Sequence, residues 1–172
     1  LVKAVKRERP ENIEEIVPEQ SEVGEHQSNG AIERAIQTHN GQLKTMKIGL
    51  EQRYGGTIEK EHNIWPWVVM YAAMLYNICH VQEDGRTAWE KKKGRKFKKL
   101  VPEIGECIFY LKPESVKEKE EAMWSKGVCA GIREESTEIC VMTPEGTNKA
   151  RSYAGLPEDQ RWSRKFLEIV KG

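Results

Sequence analysis

Apolar residues recur at helical spacing in the first half of this chain and fall into short β-rich runs in the second. Ile32, Ile36, Leu43, Met46, Leu50 and Tyr54 follow one another at spacings of four, seven, three, four and four. That pattern predicts one long amphipathic helix from about Asn29 to Tyr54, ended by Gly55-Gly56. Its polar face carries Glu33, Gln37, Asn40, Lys44, Lys47 and Glu51. Gly41 and Gly49 each cost a helix interior about 1 kcal/mol relative to Ala, so tertiary packing must hold it. Ile64, Val68, Tyr71, Leu75 and Ile78 predict a second helix, with Pro66 in its first turn, where a missing N–H does no harm. Trp65, Trp67, Tyr71, Tyr76 and Trp89 fit a core better than a base-stacking surface. Helices followed by strands argue for an α+β fold.

From Gly105 the pattern changes to strands. The runs are Cys107–Leu111, Gly127–Ile132, Glu138–Met142 and a fourth from Asn148 to Tyr153, with Thr143-Pro144-Glu145-Gly146-Thr147 as a hairpin turn. Short strands with turn chemistry between them read as a small barrel. A helix from Asp159 to Val170 closes the chain. Upstream, residues 1–9 read as the end of a helix stopped at Arg9-Pro10. Ile13, Ile16 and Val17 read as a short strand, and residues 18–27 as a loop.

The 172 residues suffice for one domain or two small ones, and 32% of them are charged. Net charge is only +1, so no global field steers the protein toward nucleic acid. Charge is instead segregated. Seven Glu lie between residues 8 and 25, and Lys91, Lys92, Lys93, Arg95, Lys96, Lys98 and Lys99 crowd into nine positions. This basic run reads equally as a solvated linker, a nuclear-import signal or a phosphate-contacting strip. If all seven charges met phosphates, log K against log salt would fall with a slope of about −6. Cys79, Cys107, Cys129 and Cys140 lack Cys-x-x-Cys spacing, which argues against a disulfide framework or zinc site and for an intracellular protein, not a secreted one. No signal peptide and no membrane-length apolar run are visible.

Three motifs resemble one family. Gln27-Ser28-Asn29-Gly30-Ala31-Ile32-Glu33-Arg34-Ala35 is similar to the segment of retroviral and retrotransposon integrases that carries the third metal-binding carboxylate, most of all in copia-type elements. Read without that resemblance, Glu33 is simply an acid favoured by the dipole of a helix start. Thr87-Ala88-Trp89-Glu90 followed by Gly94-Arg95 resembles the family's Thr-Pro-Tyr/Phe-Glu step, with Ala88 in place of the usual Pro. Thr87 and Glu90 form a capping-box pair whatever the family. Trp124, Gly127 and Gly131 resemble the Trp and Gly-x-x-x-Gly strand of the SH3-like C-terminal domain.

The resemblance implies a truncated RNase H-like integrase core over residues 1–92, mostly helices with one short strand. A basic linker over 93–103 and an SH3-like β-barrel with a terminal helix over 104–172 follow. On this division residues 104–172 are expected to fold alone and residues 1–90 are not. The resemblance also implies Glu33 as a catalytic, metal-binding residue. Arg34, Gln37, Asn40, Lys44 and Lys47 would contact DNA, together with the seven cations of the basic run. Partners would be DNA, the rest of the integrase polyprotein and a second copy of the chain as a homo-oligomer, with no membrane. The site of action would be the nucleus.

Enzymes of this family hold two divalent ions, Mg²⁺ or Mn²⁺, with two Asp and one Glu. Hard cations need clustered oxygen ligands, and two of them about 4 Å apart can serve both the attacking and the leaving oxygen in phosphoryl transfer. Both Asp are expected upstream of Leu1, as are the early strands of the core and the His/His/Cys/Cys zinc module. The chain by itself is therefore expected to be inactive in strand transfer. Two functions stay open: part of a retrotransposon integrase, or a non-catalytic DNA- or partner-binding remnant of one.

Overall fold

A computed structural model describes residues 30–112 and 123–172. The expected helix at 1–9, the strand around Ile13–Val17 and the loop 18–27 lie outside the described residues. Residues 39–172 form one compact unit; residues through Thr38 belong to another, of which 30–38 are described.

Helix α1 spans Gly30–Arg53 and α2 spans Ile64–Cys79. A short α3 spans Ala88–Lys93. The strands are β1 (Cys107–Leu111), β2 (Trp124–Ile132), β3 (Ile139–Thr143), β4 (Gly146–Ala150) and β5 (Tyr153–Gly155). They make one antiparallel sheet in the order β4-β3-β2-β1-β5. A 3₁₀ turn at Glu158–Gln160 and helix α4 (Arg164–Ile169) follow.

The burial of α1 is shorter than its periodicity suggests. Leu50 and Tyr54 are buried, and Leu43 and Met46 pack at the edge of the core. Ile32 and Ile36 are 62% and 55% exposed. Apolar spacing specifies a face; what covers that face depends on other parts of the structure.

Alternation along the strands separates two clusters. Cys107, Val128, Ala130, Cys140 and Met142 face the helices and join Leu50, Tyr54, Ile64, Val68 and Leu167 in one core. Ile108, Tyr110, Cys129, Ile139, Val141 and Ala150 form a second cluster drawn from the strands alone. All five residues of β3 are buried. The apolar stripes of α1 and α2 thus cover the C-terminal sheet.

Two glycines permit this packing. A Cβ on Gly127 would collide with Val141 Cγ1, so only a bare backbone fits β2 there. Gly131 sits at φ +110° beside the β2–β3 bulge, under the ring of Tyr71. The two-residue β3–β4 hairpin closes with Thr143 paired to Gly146.

The single terminal helix expected over 159–170 is broken at Arg161–Ser163. The Arg161 carbonyl accepts the Cys107 N–H at 2.8 Å, which draws that backbone alongside β1 where its pairing with β5 has ended. Trp162 stacks edge-on against Tyr54 at 5.5 Å, with the Arg53 guanidinium 4.6 Å from its ring centre. The tail beyond is tied to both layers: Arg164 donates to the Thr57 carbonyl at 2.8 Å, and the Lys171 N–H to that of Thr143 at 2.9 Å.

Candidate nucleic-acid interface

The basic run begins inside α3. Thr87 caps that helix by accepting the Glu90 N–H at 3.1 Å, and the Glu90 carboxylate accepts the Thr87 N–H at 2.8 Å. The reciprocal pair satisfies two otherwise orphan donors and fixes where the helix starts. Gly94, left-handed at φ 67°, ends it, with its N–H on the Glu90 carbonyl. The chain then runs without regular secondary structure through Arg95, Lys96, Phe97, Lys98 and Lys99.

Several cations are already engaged. Lys91 pairs with Asp84 at 3.1 Å and donates to the Gln82 side chain. Lys92 reaches Glu134 in the β2–β3 loop at 2.9 Å, and that hydrogen bond raises the ammonium above its ordinary pKa. Lys99 donates to the carbonyl of Thr137, a residue held at φ 57°. A β-branched residue rarely adopts that conformation, and the Lys99 contact pins the turn that contains it. Lys93 lies 5.4 Å from the centre of the Trp89 ring. Arg95, Lys96 and Lys98 are exposed and have no acidic or hydrogen-bonding partner among the described residues.

The run thus divides into anchors and free charges. Lys92 and Lys99 bind it to the β2–β3 loop, and Trp89 packs edge-on against Phe97 at 5.0 Å. A cavity of about 520 Å³ opens beside α3 and the segment that follows it, lined by Trp89, Phe97, Thr137 and the four cations from Arg95 to Lys99. Sequence reasoning missed Phe97 and Trp89 as parts of this surface. The signal was present, since Phe97 sits between Lys96 and Lys98, an aromatic interleaved with cations.

The other expected site residues lie on α1. Glu33, Arg34 and Gln37 are exposed, as are Asn40 and Lys44. Lys47 is half-buried and turned to local partners, 3.9 Å from Glu51 and 5.7 Å from the Trp65 ring centre. Among the described residues, no group of three His, Cys, Asp or Glu side chains is placed to hold a metal ion. Glu33 is a single carboxylate, and the described residues do not build the Mg²⁺ or Mn²⁺ centre that the resemblance implies.

A second groove, of about 630 Å³, runs between α2 and strands β2 to β4. Its lining is apolar at Trp67, Met70 and Met74, and its Arg133 pairs with Glu135 at 3.9 Å. Its lining holds two cations, against four in the first cavity. No described helix is long and apolar enough to cross a membrane. No known protein family, curated protein or solved structure matches this chain.

Proposed function

We propose that this chain is the C-terminal part of a retrotransposon-type integrase and that its basic segment contacts DNA. In this reading residues 1–92 belong to an RNase H-like core, 93–103 to a basic connection and 104–172 to an SH3-like barrel. The strand cluster packed on itself and the antiparallel order in which β5 returns beside β1 fit this reading. The chain acts within a longer polyprotein that supplies the two Asp, binds Mg²⁺ or Mn²⁺ with them through Glu33, and works in the nucleus.

One observation carries the DNA contact: Arg95, Lys96 and Lys98 remain uncompensated while their neighbours fasten the segment to the sheet. Phosphate contacts made by charges on an ordered segment lose less side-chain and backbone entropy than contacts made by a free tail. Three such charges give a slope of log K against log salt of about −3, against about −6 if all seven were released to phosphates. Titrating duplex DNA into the protein at several salt concentrations measures it. Replacing Arg95, Lys96 and Lys98 with Gln should bring the slope close to zero. An unchanged slope would move the contact elsewhere.

The second reading is a non-catalytic DNA- or partner-binding remnant, which the same anchored basic segment would serve. A version extended upstream through both Asp separates the two. In an integrase, Glu33→Gln abolishes metal-dependent strand transfer, because Gln keeps the shape and loses the charge. A remnant has no strand transfer to lose.

A further inference from the structure

Strand β4 is an edge of the sheet, and one side of its backbone has no partner among the described residues. The β3–β4 hairpin closes on the Thr143–Gly146 pair, and in an antiparallel ladder hydrogen-bonded pairs alternate with non-bonded ones. Gly146, Asn148 and Ala150 therefore direct their backbone groups at β3. Thr147 and Lys149 turn theirs outward, two N–H donors and two carbonyl acceptors along one edge. Both residues are exposed, and their side chains line the groove of about 630 Å³ beside α2. Asn148 points to the other face of the sheet, where it donates to the Tyr110 hydroxyl at 3.1 Å. The two ends of the groove differ. Trp67 stands at the hairpin end, where Gly172 lies against it and the Lys171 N–H meets the Thr143 carbonyl. Arg133 stands with Lys149 at the other end, because Ile132 pairs with Ile139 and Ile139 with Ala150. Met70, 63% exposed, continues the apolar wall along α2.

We infer that β4 and this groove form a docking strip for an extended segment of a partner protein, added to the sheet as a further strand. The segment's backbone bonds to Thr147 and Lys149, a carboxylate faces Lys149, and the next side chain on that face is apolar and enters the groove against Trp67 and Met70. Charge selects this occupant. Lys149 makes no ion pair among the described residues; Glu138, the acid its charge reaches, is held by Ser136 at 3.0 Å and Arg151 at 3.3 Å. A second copy is disfavoured, because β4 paired with itself sets Lys149 beside or opposite its own counterpart. The same charge admits a strand that carries an acid. Methionine suits the apolar wall, since its flexible thioether adapts to the side chain it receives. The strip is separate from Arg95, Lys96 and Lys98 and does not depend on the DNA contact.

Amide resonances of the full 172-residue protein, labelled with ¹⁵N, test this with the capped peptide Thr-Leu-Thr-Glu-Thr-Leu-Thr, whose Glu and Leu share one face of a strand. The Thr147 and Lys149 amide protons should move downfield and exchange more slowly as peptide is added. Those of Gly146, Asn148 and Ala150, already bonded to β3, should change little. Replacing the peptide's Glu with Lys should weaken binding about fivefold, and Lys149→Glu should reverse that preference, because a cross-strand charge pair changes sign with either partner. Edge amides unmoved by the peptide overturn the strip, as does a Lys peptide that binds as well as the Glu peptide. Protection of Thr147 and Lys149 without peptide, in a protein that sediments as a dimer, assigns this edge to a second copy. A shift of the same amides by a short DNA duplex and not by the peptide assigns it to nucleic acid. Either result overturns the proposal.

Discussion

The Tyr54 hydroxyl donates a hydrogen bond to the Gly105 carbonyl, 51 residues further along the chain. The contact joins the end of α1 to the entry of β1. It works because Gly105 has no side chain: at φ +82°, a Cβ there would stand 2.6 Å from Leu50 Cδ2. Tyr54→Phe leaves the buried carbonyl without this donor and should cost about 1–3 kcal/mol. The denaturant midpoint of the variant measures the loss.

Alkaline pH should unfold the protein. Burial pushes the phenol of Tyr71 and the thiol of Cys129 up to about 12, and burial raises Tyr54 still further. Each group holds its proton more tightly folded than unfolded. The stability they contribute is complete below the unfolded values, 9.0 for Cys and 10.0 for Tyr, and is lost as pH rises through the folded ones. Denaturant midpoints should therefore fall progressively above about pH 9. Phenolate absorbance should include a late step that coincides with loss of secondary structure. Tyrosines titrating fully while the fold persists would contradict this.

Gly127→Ala should destabilise by about 1–3 kcal/mol, because its methyl would enter the space of Val141. Val141→Ala empties that space and leaves a cavity of its own. Combined, the two substitutions should cost less than the sum of their separate effects, since one fills what the other vacates. Simple additivity would mean that β2 shifts to accept the methyl.

Residues 104–172 should not remain monomeric when cut from the rest. Their strands are local, which is why the sequence suggests independence, yet Cys107, Val128 and Met142 share a core with Leu50, Ile64 and Val68. Removing the helices bares that face, and a bared apolar face drives association. Residues 39–172 should stay monomeric with protected β3 amides. Sedimentation and amide exchange on both fragments distinguish the outcomes; a well-protected monomer of 104–172 would show that the strand cluster suffices.

Much of this architecture is legible in residue order. Helix α1 ends at Arg53, next to the Gly55-Gly56 stop, and Pro66 falls in the first turn of α2. Thr87 and Glu90 form the capping box that their spacing suggests, and β1 has the expected bounds. These features are local: a cap, a stop or a β-rich run is specified by residues within a turn or two of one another. The candidate site is legible only as a block of charge between residues 91 and 99.

What covers what was decided by tertiary structure. Helical spacing placed Ile36 and Leu50 on one stripe, yet Leu50 is buried in the core shared with the sheet while Ile36 is 55% exposed. The terminal helix broke at Arg161, whose carbonyl accepts the Cys107 N–H of β1. Lys92 and Lys98 are equal in the sequence; Glu134 lies opposite the first, while the second has no acid beside it among the described residues. The sequence by itself determined the elements and their charge, because hydrogen bonding within helices and turns reaches only a few residues. Only the fold decided which faces meet and which cations stay free, because those pairings depend on residues dozens of positions apart.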